Sequence, residues 1–401
     1  MPVDSLRFQV GLIALLQALL LTNNVTLITI NGLAGATLAG DATYATLPVT
    51  GYVLGAAVSS MAAARLMRLR GRRFGYSVGA LFAIAGSLLA WWAVSERSLP
   101  LLVTATFVIG VYNAFGASYR FAAADAADVY RPSFRARAIS LVLAAGIVGG
   151  VVGPEISKLT RDALPTLFSG SYLALVIFAL ASLVLTQLLR LPEPKQAAAT
   201  QGPARPLREI LAQPVAWVAV LVACLGYGVM NLVMVSTPLA MQVCSHSYPS
   251  AARVIEWHVV GMFAPGLFTG SLIGRVGIMP VILAGCGLML ASAAIALSGV
   301  GLWHFTVALF LLGVGWNFMY TGATTLLTLS YRPTEKNRVQ GFNDACVFAT
   351  MVSSSFSSGA LLHVEGWYTI NALAVPFTLV ALGATVWAAR SAGWRVGRVA
   401  A

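Results

Sequence analysis

The sequence predicts an all-α integral membrane protein: twelve transmembrane helices in two six-helix bundles. Three observations carry this. Residues of the AVILMFWYC set fill 58% of the 401 positions and 38 more are glycine, together about two thirds, against a usual value of about 45–50%. Charged residues make up only 9%, where about a quarter is normal, too few to clothe a water-exposed surface of this size. Twelve spans of about 21 residues would take roughly 250 positions and leave roughly 150 for loops and ends.

Apolar runs broken by charged or Gly/Pro-rich segments place the helices at 8–32, 44–65, 75–94, 100–127, 136–157, 166–190, 213–241, 252–274, 277–299, 302–330, 338–362 and 368–390. The first run follows Arg7, exceeds the length of a signal-peptide core and lacks a cleavage site, so it is expected to be a span. Between the sixth and seventh runs lies the one long polar stretch, beginning Leu191-Pro192-Glu193-Pro194-Lys195. It is expected to be a cytoplasmic linker at 191–212 between an N-terminal bundle, 1–190, and a C-terminal bundle, 213–401. The bilayer is thus the first partner.

An even number of crossings puts both termini on one side, and the basic residues say which. The termini and the loops after even-numbered helices hold 20 of the 25 Lys and Arg residues, among them Arg65, Arg68, Arg70, Arg72, Arg73, Arg131, Arg135, Arg137, Arg332, Lys336 and Arg338. The opposite loops hold Arg97, Lys158, Arg161 and Arg253, and Arg120 falls within a span. Both termini are therefore expected in the cytoplasm. The net charge of +12 is dispersed in short clusters between apolar runs, so it reports topology and not a nucleic-acid partner. The four cysteines form no Cys-x-x-Cys pair, which argues against a disulfide framework or a thiolate zinc site. No paired carboxylates, Ser/His/Asp set or phosphate-binding glycine loop marks an enzyme, and no prosthetic group is implied.

The halves echo one another. Tyr130-Arg131-Pro132 with Arg137 recurs as Tyr331-Arg332-Pro333 with Arg338 at an offset of 201, and Arg73-Phe74-Gly75 recurs as Arg275-Val276-Gly277 at an offset of 202. Two like-oriented bundles of this kind resemble the major facilitator superfamily, whose substrate site lies near mid-bilayer between the bundles. The basic loop Arg68-Leu69-Arg70-Gly71-Arg72-Arg73-Phe74-Gly75 resembles that superfamily's Gly-x-x-x-Asp-Arg-x-Gly-Arg signature without its acidic member. Gly149-x-x-x-Gly153-Pro154 resembles a motif of its exporters, although small residues at that spacing also serve close helix packing.

One constellation suggests a metal. The seventh helix carries Met230 and Met234, and the eighth carries His258 and Met262. Each i, i+4 pair lies on one helix face, about 6 Å apart along the axis, and counting inward from the helix ends puts all four donors at a similar depth. Three thioethers and an imidazole form a soft set suited to Cu(I). Packing is the competing account, because methionine is a flexible core filler. The two motifs together resemble the CcoA-like copper importers, a bacterial branch of the superfamily. That resemblance implies copper as the transported substrate, uptake across the bacterial cytoplasmic (inner) membrane, a cytoplasmic copper acceptor, and supply of a haem-copper (cbb3-type) cytochrome oxidase. Its ligands would be Met230, Met234, His258 and Met262.

Met241, Cys244 and His246 are candidates for an entry relay, with Cys224 and Cys346 nearer the cytoplasmic half. Asp344 and Arg120 are the clearest intramembrane acid and base, so they are candidates for proton coupling, with a structural ion pair, or a hydrogen bond to Asn113 or Asn317, as the alternative. Asn23 and Asn24 give the first helix a polar midpoint suited to a cavity wall. Two other functions compete with copper import: a carrier of an organic solute such as riboflavin, and a copper receptor or assembly factor that moves nothing.

Overall fold

The computed structural model describes residues 3–191 and 205–392; residues 192–204 of the expected linker lie outside them. The described residues form helices and no strand. In chain order these are α1 (Val3–Leu38), α2 (Leu47–Arg70), α3 (Arg72–Ser95), α4 (Leu99–Gly116), α5 (Tyr119–Tyr130), α6 (Arg135–Thr160) and α7 (Ser169–Gln187). They continue with α8 (Leu207–Leu211), α9 (Pro214–Val243), α10 (Tyr248–Phe263), α11 (Gly266–Val276), α12 (Ile278–Ser298), α13 (Leu302–Thr328) and α14 (Lys336–Ala392).

Eleven helical stretches among the described residues are long and apolar enough to cross a bilayer. The last of them, Arg338–Ser391, has 54 residues, which at 1.5 Å each is about 81 Å, more than twice the roughly 30 Å hydrocarbon core. It is broken at Gly366, where φ is 80°, so it supplies two crossings and brings the total to the expected twelve.

Two expected helices are each split. The run 100–127 divides at Ala117-Ser118, where the Ser118 hydroxyl donates to the Phe115 carbonyl at 2.9 Å and lies 3.0 Å from the Tyr76 hydroxyl. A serine that supplies its own donor to a helix end makes the interruption tolerable. The run 252–274 divides at Ala264-Pro265, since proline has no N–H to continue the ladder. Asn317 Nδ2 then donates to the freed Met262 carbonyl at 2.7 Å, and the Thr269 hydroxyl lies 2.7 Å from Asn317 Oδ1.

The chain folds as two compact units, one of Met1–Lys195 with Pro238–Val260 and one of Gln196–Thr237 with Gly261–Ala401. The turn joining α9 to α10 therefore belongs with the N-terminal helices, a placement that differs from the halves read off the sequence. In unit 1 the Arg161 guanidinium lies 4.8 Å from the Tyr248 ring centroid and 5.7 Å from that of Phe168. The two rings meet edge to face at 5.8 Å, so the turn is held by cation–π and aromatic contacts.

Close backbone approach builds unit 1. A Cβ on Gly149 would come within 2.4 Å of the Ala18 carbonyl, and one on Gly153 within 2.9 Å of the Thr22 carbonyl. The Gly149-x-x-x-Gly153 pattern thus presses α6 onto α1, and the Thr26 hydroxyl lies 3.0 Å from the Gly153 carbonyl across the seam. Gly110 sits likewise against the Tyr52 carbonyl, 2.2 Å from its would-be Cβ, where α4 meets α2. The acidic member missing from the loop after α2 comes from elsewhere: Arg72, at the start of α3, pairs with Asp125 on α5.

In unit 2, α12 packs on α13 through Gly285 and Gly315, each would-be Cβ lying within 3.0 Å of the other's carbonyl. Asn231 on α9 ties that helix to α14, its Nδ2 within 2.8 Å of both the Ser354 and Ser355 hydroxyls and 3.2 Å from the Met351 carbonyl. Arg205 grips the buried Glu335 with Nε at 2.9 Å and Nη2 at 2.8 Å, and the backbone N–H groups of Arg205 and Arg332 also donate to its carboxylate.

The two sequence echoes fare differently. The short 3-10 turns Pro132–Phe134 and Pro333–Glu335 keep the offset of 201. By contrast Gly277 (φ 98°) separates α11 from α12 as Gly71 (φ 82°) separates α2 from α3, so its counterpart is Gly71 and not Gly75. The sequence register was off by one helical turn.

Gly110→Ala will push α4 off α2 and destabilise by about 1–3 kcal/mol, seen as a lower thermal midpoint in detergent. Glu335→Gln will also lower the midpoint. The Arg205 hydrogen bonds, then those from backbone N–H, hold the Glu335 carboxyl well below its ordinary 4.5. A depressed folded pKa gives stability that is complete above the unfolded value and fades as pH falls through the folded one. The gap between wild type and Glu335→Gln will therefore be constant from about pH 8 to 5 and shrink only below the ordinary carboxylate value of about 4.3.

Candidate functional site

The expected metal ligands are all inside the protein, at 1% exposure for Met230, 5% for Met234, 8% for Met262 and none for His258. The three methionines belong to unit 2 and His258 to unit 1, since α10 passes between the units after Val260. Met262 is one residue from the end of α10, and its carbonyl is the one Asn317 caps. Pro238, four residues after Met234, lies within α9 and cannot donate to the Met234 carbonyl.

The relay candidates fall into two groups. Met241 lies in the last turn of α9 and Cys244 and His246 in the turn after it, where the His246 N–H donates to the Met241 carbonyl at 2.9 Å and Ser245 takes a left-handed φ of 62°. Burial pushes the Cys244 thiol up from its usual pKa, which reduces its thiolate fraction near neutrality. Cys224 and Cys346 are neighbours across α9 and α14 in unit 2, with Thr350 beside Cys224. Among the described residues, no group of three or more His, Cys, Asp or Glu side chains is placed to hold a metal.

Arg120 is exposed and lies over the Phe121 ring, 4.8 Å from its centroid. Asp344 is also exposed, with the Asn343 amide at 3.3 Å. Asn113 receives the Asn24 amide at 2.9 Å, and Asn317 serves the break in the eighth span.

Two features stand out as places for a solute to bind. In unit 1 Asn23 is fully buried, and among the described residues neither atom of its amide has a hydrogen-bond partner. A buried amide without a partner costs about 1–3 kcal/mol, so its retention asks for a reason other than stability. In unit 2 three aromatic rings form a corner. Trp316 and Tyr320, one turn apart on α13, stack at 5.4 Å with planes 9° apart, while Tyr227 of α9 stands edge-on to both at 5.1 and 5.2 Å. Trp316 is 7% exposed and its indole N–H has no acceptor among the described residues, whereas Tyr227 and Tyr320 are half-buried. Gly226 brings α9 close to α13 at this level, its would-be Cβ 3.3 Å from the Met319 side chain.

Asn23 was visible in the sequence as an interruption of an apolar run. The aromatic corner was missed. Its signal was the i, i+4 spacing of Trp316 and Tyr320, and Tyr227 joins only through tertiary packing.

Residues 12–297 match the Major Facilitator Superfamily. The chain is 39% identical over 378 residues to the riboflavin transporter RfnT of Brucella anthropi, covering 94% of each protein. It is 27% identical over 377 residues to YdeG of Bacillus subtilis, an uncharacterized MFS-type transporter, covering 90% of this chain and 87% of that one. The fold is shared with the solved nucleoside transporter NupG (TM-score 0.74, 14% identity, 95% and 99% of the two chains). It is shared also with the human organic anion transporter MFSD10 (TM-score 0.65, 14% identity, 96% and 100%).

These matches uphold the resemblance to the superfamily and overturn the copper reading. A relative that spans nearly the whole chain at 39% identity is a riboflavin transporter, and nothing in the comparisons points to copper import or supply of an oxidase. The physical reason is that i, i+4 methionines at matched depth are also what a helix–helix seam produces when a flexible apolar side chain fills it.

Asn23→Leu, which keeps the branching and removes the orphan amide, will leave the thermal midpoint unchanged or raise it while lowering solute uptake in cells. A lowered midpoint would instead reveal a structural hydrogen bond.

Proposed function

The chain belongs to the major facilitator superfamily, and from that premise we propose that it carries riboflavin, or a solute with the same flat fused-ring core, across the bacterial cytoplasmic membrane. The observation that carries this reading is the aromatic corner of Tyr227, Trp316 and Tyr320, taken with the 39% identity to a riboflavin transporter. A planar heteroaromatic gains from stacking on tyrosine and tryptophan faces, at about 1–3 kcal/mol per ring in comparable recognition of bases. The Trp316 N–H offers a directional donor that such a solute can satisfy, which favours a heteroatom-bearing ring over a plain hydrocarbon.

A neutral solute also suits the charge distribution. The strongly basic loops lie at the helix ends, and the corner itself is built of uncharged side chains. Transport by alternating access breaks and forms no covalent bond, so the residues bind and release and none is catalytic. The excess of Lys and Arg in the loops after even-numbered spans supports cytoplasmic termini.

Riboflavin uptake by a riboflavin-auxotrophic bacterium expressing the chain tests the proposal directly. Uptake above the empty-vector control is expected, and Tyr320→Ala or Trp316→Ala will raise KM roughly tenfold. Trp316→Phe will recover stacking and lose only the N–H contribution. The triple variant Met230→Leu, Met234→Leu, Met262→Leu conserves volume and apolarity, so it will retain most uptake. Absence of riboflavin uptake from a well-expressed wild type would overturn the reading.

A further inference from the structure

We infer that unit 1 contains a second binding site, separate from the aromatic corner, that takes a phosphate-bearing anion. A cavity of about 580 Å³ opens between the first turns of α1 and the start of α6, lined by Arg7, Arg131 and Arg137 together with Ser133, Val10 and Leu141 among others. Three arginines line it, and no carboxylate is among its described lining residues. Among the acids whose side chains are described, Asp128 is paired with Arg135 at 2.8 Å and Asp125 with Arg72. Like charges gathered around one cavity repel, so the arrangement is stabilised by an anion. Guanidinium matches phosphate oxygens through paired, charge-assisted hydrogen bonds.

The second half of the chain holds the same turn with a different side chain at its end. Arg131 and Arg137 correspond at the offset of 201 to Arg332 and Arg338. The turn geometry repeats as well, with the Phe134 N–H donating to the Arg131 carbonyl at 2.9 Å and the Glu335 N–H to the Arg332 carbonyl at 2.9 Å. Glu335 places a carboxylate there and Arg205 neutralises it internally. The matching position in the first half is Phe134, and the positive charge is left open to a cavity. The apolar side of the cavity, Val10 and the exposed Leu141, suits the glycerol backbone and chains of an anionic phospholipid. A soluble phosphate ester offers the same headgroup chemistry.

Arginine-specific labelling with phenylglyoxal, read residue by residue by peptide mass mapping, tests the site in the full-length protein. One arm uses phosphatidylglycerol nanodiscs against phosphatidylcholine nanodiscs; the other uses inorganic phosphate against chloride in detergent. Protection of Arg7, Arg131 and Arg137 in either arm supports the site, and the arm identifies the source: a lipid headgroup, a free phosphate, or both. Native mass spectrometry will show phosphatidylglycerol or phosphate retention falling on the order of tenfold in Arg131→Gln or Arg137→Gln. Phe134→Glu, which installs the second half's carboxylate, will abolish protection, and Phe134→Gln, equally polar and uncharged, will keep it. No protection in either arm, or protection unaltered by Phe134→Glu, would overturn the proposal.

Discussion

In hydrocarbon no backbone donor or acceptor can be left for solvent to satisfy, and nearly every feature of this chain follows from that constraint. Helices satisfy it along their length, so the chain is almost wholly helical. Helix association must then come from close packing, because lipid is as apolar as leucine. This is why glycine sits where α1 meets α6, where α2 meets α4 and where α12 meets α13: Gly149, Gly153, Gly110, Gly285 and Gly315 each occupy a place where a Cβ would strike backbone. The same constraint governs the interruptions. Where α4 gives way to α5 and α10 to α11, Ser118 and Asn317 supply hydrogen bonds to the carbonyls the break exposes. The break between α10 and α11 therefore fixes Asn317 on α13, one residue from Trp316 and three from Tyr320, so the backbone repair and the aromatic corner share one helix turn.

A polar side chain within a span serves one of two ends, and the hydrogen-bond partners tell them apart. Thr22, Thr26 and Thr29 return their hydroxyls to carbonyls four residues back, and Asn231 is consumed by α14. These are structural. Asn23 and the Trp316 N–H are buried with nothing among the described residues to bind, a cost that structure alone does not recover. Their neutrality matters too, since an uncharged orphan is far cheaper to hold in a low-dielectric interior than an ion.

The crossing segments were legible in the sequence because hydropathy reports burial in lipid directly, and the repeat at 201 was legible because its residues sit in matching turns. The interruptions at Ala117 and Ala264 were not, since hydropathy summed over a span outweighs the local signals of Ser118 and Arg120 and of Pro265-Gly266. The echo around Gly277 was read one turn out of place because the shared residue types, an arginine and a glycine, are common at helix ends; the positive φ that Gly71 and Gly277 share is invisible to composition. Copper was suggested by Met230, Met234, His258 and Met262 because spacing along a helix reports which residues share a face. It is silent on whether that face meets a ligand or a neighbouring helix. The reverse held for Tyr227, which sits 89 positions before Trp316 and joins its ring only when α9 and α13 pack.

Duplication explains both the likeness and the division of labour between the halves. Two copies of one turn begin with the same obligation, to end a span with basic residues on a tight 3-10 corner. Glu335 ties one copy to Arg205 of its own unit, while Arg332, Lys336 and Arg338 beside it stay exposed. The copy with Phe134 keeps the same backbone turn without a carboxylate, so its arginines remain open at the cavity between α1 and α6. The side chain at equivalent positions thus decides whether the corner is clamped to another segment of its own unit, while the backbone beneath is unchanged.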